Sequence, residues 1–176
     1  MKEIIILAAL VVALATAAQK EAAELISADK NLLKPQNGDP IVSSKLLDVA
    51  LGCYWMTVAI DDAKGQGMYF ASPNEAITAS DYDVVSYRAK INVLGTGKGK
   101  YEQFGGKPFE TTIGRLLFNA IMPADFPYLN EEVTAKKMIV IVDSLIITYG
   151  IDMVAPILDR IKTFGYKWAT KSGTTW

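Results

Sequence analysis

The stretch LGCYWMTVAIDDAKGQGMYF, residues 51–70, sets two aromatics, the only cysteine and an acidic pair just ahead of a Gly-Gln-Gly turn. Leu47, Ala50, Leu51, Tyr54 and Trp55 spread over a wide arc, so a helix over residues 44–57 is expected to be buried on more than one side. Tyr54 and Trp55 then read as core or interface rather than as a cofactor box. Asp61 and Asp62 fall on the loop that follows, where adjacent carboxylates without a third donor are solvated charge, not a cation site.

Working outward, Met68–Phe70 reads as a short strand and Ser72 as the cap of a helix. Pro73 suits the first helical position and Glu75 completes a capping box. In VVSYRAKINVLG, Val85, Tyr87, Ala89, Ile91 and Val93 alternate onto one face of a strand, with Arg88 and Lys90 on the other. GTGKGKYEQFGGKPFE fits neither glycine-rich phosphate motif and is expected to be a flexible hairpin tip. A helix opens at Thr111 or Thr112 and stops at Pro123. A longer one ends at Gly150, and a last one has Asp152 as its cap and Gly165 as its end. Toward the N-terminus, residues 17–33 form an amphipathic helix bearing Ala18, Ala22, Leu25 and Ile26, broken by KPQNGDP. The fold class is α+β: several helices packed around a small antiparallel sheet.

Composition removes whole classes of chemistry. The 176 residues contain no histidine and one cysteine, so Ser-His-Asp and Cys-His systems, Cys-rich metal sites and intrachain disulfides are all excluded. Cys53, in an apolar run, reads as an inert core thiol. Eighteen basic residues against nineteen acidic ones give a net charge of −1, which offers no footprint for autonomous binding to nucleic acid.

Residues 1–18 are a separate apolar segment. Lys2, the run Ile4–Leu14 and Ala15-Thr16-Ala17 match the three parts of an export signal. Ile4–Val12 also fits a buried strand or helix, and the mostly apolar run Ile4–Ala18 is short for a membrane span. An exported or membrane-tethered binding protein is therefore the alternative function.

Five blocks then carry a resemblance. NLLKPQNGDPIV, DVALGCYWMT, KGQGMYFASPNEA, TTIGRLLFNAIMPADFPYLN and FGYKWATKSG resemble the largest catalytic subunit (β′) of bacterial DNA-directed RNA polymerase. They follow the family's order and spacing and cover roughly residues 19–176. The resemblance implies the pore, or secondary-channel, domain of that subunit, which lines the route for entering nucleoside triphosphates and extruded RNA 3′ ends. Its implied partners are the rest of β′ and the other polymerase subunits, with DNA template, RNA and nucleoside triphosphates met only inside the assembled enzyme. The implied location is cytoplasmic, with no membrane.

The family's magnesium-binding loop, Asn-Ala-Asp-Phe-Asp-Gly-Asp, lies just upstream of the first block. MKEIIILAALVVALATA stands there instead, so no cofactor is expected in this chain. Mg2+ would belong to the assembled enzyme, and no independent polymerase activity is expected. Residues 1–18 then read as a divergent or truncated start within the subunit. Some family members bind a guanosine alarmone through a Lys, an Asp and a Tyr on the last helix. Asp159 matches the second, but Asp152 and Thr163 replace the others, so that regulation is not expected.

Thr112, Arg115 and Lys171 are the candidate channel or intersubunit contacts. Each has a plainer reading: Thr111 and Thr112 as helix caps, Arg115 as helix-surface solvation or a local salt bridge, Lys171 as a solvated lysine. Gly114 is expected to permit close helix packing, and Tyr166 and Trp168 to pack between regions of the subunit.

Overall fold

The computed structural model describes residues 15–27, 31, 47–97 and 99–174. Residues 1–14, the KPQNGDP break and the first residues of the 44–57 helix lie outside the described residues, as does the side chain of Asp152.

The first helix, α1, covers residues 15–26, and its residues are all exposed, including Leu25 at 69% and Ile26 at 79%. The Asn31 side chain closes its C-terminal end, donating to the carbonyls of Leu25 (2.7 Å) and Ser27 (2.9 Å). Helix α2 (Leu47–Thr57) is buried through Val49, Ala50, Gly52, Cys53, Met56 and Thr57. It is apolar nearly all round, as expected of an element wrapped by others.

Strand β1 (Tyr69–Phe70) leads into α3 (Pro73–Asp81). Ser72 caps α3 through the Glu75 amide at 3.2 Å, while the Glu75 carboxylate reaches back to the Ala71 amide at 2.8 Å. The capping box is therefore present, displaced by one residue on its return arm.

Strands β2 (Lys90–Leu94) and β3 (Pro108–Thr112) form an antiparallel hairpin, with Asn92 opposite Glu110. The sheet order is β1-β2-β3, and β1 runs parallel to β2. The sheet is thus small but mixed, not wholly antiparallel. A helix, not a tight turn, links β1 to β2, and such a crossover returns the chain in the same direction. The regular strand begins at Lys90, yet Val85, Ala89, Ile91 and Val93 are all buried, so the expected inward face is kept.

The described part of the hairpin connection is ordered as well. Gly99–Phe104 is a 3-10 helix, and the Phe104 ring stacks on Phe109 at 3.7 Å between centroids. The flexible tip read from Gly and Lys content is corrected here: Tyr101 and Phe104 pin the segment to the sheet.

Helix α4 (Ile113–Ala120) has Thr112 as its cap and joins two cores. Ile113 and Leu116 belong to the core over the sheet, and Phe118 to the core between helices. Thr111 is a strand residue rather than a cap, its hydroxyl 2.7 Å from that of Tyr128. Helix α5 (Ala135–Ser172) is broken at Gly150, whose φ of 75° and ψ of 163° lie outside helical values. This matches an end of one helix at Gly150 and the start of another just beyond. Gly165 does not end the second half, which runs on to Ser172 with left-handed Gly173 closing it. Helix α5 packs on α2, and residues of both its halves, Val142 and Leu145 before the break and Val154 and Ile161 after it, share one core with Val49, Cys53 and Met56.

Candidate functional site

The first turn of α4 brings Thr112 and Arg115 together. Thr112 is buried, and its hydroxyl accepts the Arg115 amide at 3.2 Å. The Arg115 side chain bridges three segments: Nε donates to the Thr57 carbonyl at the end of α2 (2.9 Å), and Nη1 donates to the Asn130 carbonyl (3.1 Å). Burial lowers the pKa of its guanidinium, which still carries its charge because an arginine starts so high. These are charge-assisted bonds made within the chain.

Three further side chains extend this network. Thr57 donates to the Cys53 carbonyl (2.7 Å) and accepts the Val133 amide (2.8 Å). Asn119 is fully buried, with its amide nitrogen donating to the Arg115 and Leu129 carbonyls and its oxygen accepting the Leu129 amide, each at 2.8 Å. Lys100, from the 3-10 helix, donates to the Asn119 and Met122 carbonyls at the end of α4. There a cation is favoured by the helix dipole, although burial lowers its pKa. Sequence reading did not single out Thr57, Lys100, Asn119 or Asn130.

Lys171 lies elsewhere, on the last turn of α5, with Nζ 4.8 Å from the centre of the Trp168 ring. Trp168 is buried among Tyr87, at 4.9 Å edge to face, Trp55, at 6.2 Å, and Phe164. It therefore packs within this chain, and Arg88 covers the Trp55 ring at 4.4 Å. Tyr166 is 43% exposed.

Two adjoining hollows of about 370 and 380 Å3 run along α5 and share Ile121, Phe164 and Lys167. Asp159, Arg160 and Thr163 edge the first, and Asp81, Trp168 and Lys171 edge the second. Asp159 also pairs with Lys162 at 2.6 Å.

Gly114 is the close approach expected of it: a Cβ there would overlap the Met56 carbonyl. The Cys53 thiol is fully buried, and burial pushes its pKa up to about 12, which makes it a poor nucleophile.

Comparison with known proteins identifies the fold. Residues 31–176 match the family model described as RNA polymerase Rpb1, domain 3. The DNA-directed RNA polymerase subunit beta′ of Nocardioides sp. (strain ATCC BAA-499 / JS614) is 39% identical over 169 residues, covering 92% of this chain and 13% of that protein. That of Sulfurihydrogenibium sp. (strain YO3AOP1) is 35% identical over 164 residues, covering 93% and 10%. That of Thermobifida fusca (strain YX) is 37% identical over 172 residues, covering 92% and 13%. The chain belongs to the RNA polymerase Rpb1 domain 3 family. It spans only 10–13% of the length of these relatives.

The described residues offer no donor set that suits the Mg2+ which the resemblance implies for an assembled polymerase. Among the described residues no three of His, Cys, Asp and Glu converge on one point. Asp61, Asp83, Glu131 and Asp159 each face a lysine instead. Among the described residues no helix is long and apolar enough to cross a membrane.

Proposed function

We propose that this chain serves DNA-templated transcription as the domain-3 portion of a β′-type RNA polymerase subunit. In this reading it lines the secondary channel through which nucleoside triphosphates enter and RNA 3′ ends are extruded. It works inside the assembled cytoplasmic enzyme and has no activity alone. The observation that carries the reading is the family match over residues 31–176, with relatives of which this chain would form only a small part. The two cores support it: their side chains are spent on holding helices and a sheet in register, as suits a wall.

Within that wall Lys171 and Arg115 are the proposed contacts with passing phosphates or a neighbouring subunit region. Thr112, as the cap of α4, orients Arg115. A photo-crosslinking amino acid at position 171, in polymerase reconstituted with this chain and stalled in a backtracked state, tests the channel assignment. Labelling of the RNA 3′ segment is expected. Labelling of protein alone would overturn it.

A further inference from the structure

The segment 121–134 joins α4 to α5 without helix or strand, yet it is tied down along its length. Its apolar pegs, Phe126, Tyr128 and Val133, are buried. Its backbone is held by side chains from outside the segment: Gln103 on the Tyr128 carbonyl (3.2 Å), Asn119 on both ends of Leu129, Arg115 on the Asn130 carbonyl and Thr57 on the Val133 amide. Asn130 in turn donates to the Glu110 carbonyl on β3 at 2.8 Å.

These holding groups are themselves connected. Arg115 bonds Thr57 through its guanidinium and Asn119 through its carbonyl. Pulling one away weakens the others, since hydrogen bonds in a buried chain support one another. Three of the four holding residues, Arg115, Asn119 and Thr57, meet around the first turn of α4, and a segment held mainly from one place opens as a block.

We infer that residues 121–134 are a strap that opens as a single unit from a core that stays packed, with Arg115 as its latch. The latch also grips the end of α2, whose Thr57 hydroxyl holds the strap directly as well. This makes Arg115 a positioning residue whose bonds hold a surface segment in place, and it does not depend on the polymerase reading.

Native-state amide exchange of the full chain, read by NMR in low urea, tests it. In the unaltered chain the amides of Leu129 and Val133 should share one protection factor, the exchange rate scaled by each amide's intrinsic rate, lower than those of Leu145 and Ile161 in α5. Arg115→Gln should speed both by about tenfold or more, the loss of a charge-assisted tie, while the two α5 amides stay within about twofold. Arg115→Lys, which keeps the charge with a shorter reach, should give a smaller rise at both. Unequal protection factors for Leu129 and Val133 in the unaltered chain would overturn the inference without any variant. So would a rise at only one of them, no change at either, or equal acceleration of every amide.

Discussion

Gly52 of α2 and Gly165 of α5 meet with no room for a side chain between them. A Cβ on Gly52 would overlap the Gly165 carbonyl, and one on Gly165 would lie 2.7 Å from the Val49 backbone. This contact sets the distance between the two helices that enclose Cys53, Met56 and Ile161.

Gly165→Ala gains up to about 1 kcal/mol of helix propensity but must push α2 away. We expect a net loss of about 1–3 kcal/mol, the cost of overpacking. Gly150→Ala fails differently, since nothing lies within 4 Å of its Cβ position and only the positive φ opposes it. Urea midpoints should fall for both. Repacking around position 165 should also broaden the Trp168 signal, which Gly150→Ala should leave sharp.

Thr57→Val keeps the volume and removes the acceptor of the buried Val133 amide. The loss should be about 1–3 kcal/mol, the cost of stranding a buried donor. Thr57→Ser restores the oxygen and should recover most of that stability in the same denaturation experiment.

Helix ends are legible in the chain where the signal is local and hidden where it is tertiary. Ser72, Pro73, Thr112 and Gly150 act within a few residues of themselves, so their roles are legible in the chain. Gly165 looks like an end signal only until its neighbour is known; it is there because α2 crosses it. Strand direction is likewise silent in an alternating pattern, which is why the parallel pairing of β1 with β2 was missed. At the candidate site, Arg115 was visible as a charge on a helix. Its partners at Thr57 and Asn130 lie 58 and 15 residues away, and nothing in a single sequence joins them. Lys100 sat in a stretch that composition marks as loose, and its role follows only from meeting the end of α4.

Burial raises the Cys53 thiol from 9.0 to about 12, and this fixes the sign of a pH effect. The folded chain keeps a proton that the unfolded chain releases above its ordinary thiol pKa. The contribution is fully present below about pH 8 and is lost as pH rises toward the folded value, at up to about 1.4 kcal/mol per pH unit. Denaturation of the parent chain and of Cys53→Ala should therefore show a steeper alkaline fall for the parent. Parallel curves would contradict the burial. Thiol reagents should modify Cys53 only as the chain unfolds.

Affinity purification of the tagged chain, followed by identification and quantification of its companions, tests most directly whether it is a piece of a polymerase. The account predicts recovery of RNA polymerase subunits in near-equal amounts, at a particle mass far above that of the chain itself. A stable, solitary chain of 19.2 kDa that retains no polymerase subunit would contradict it.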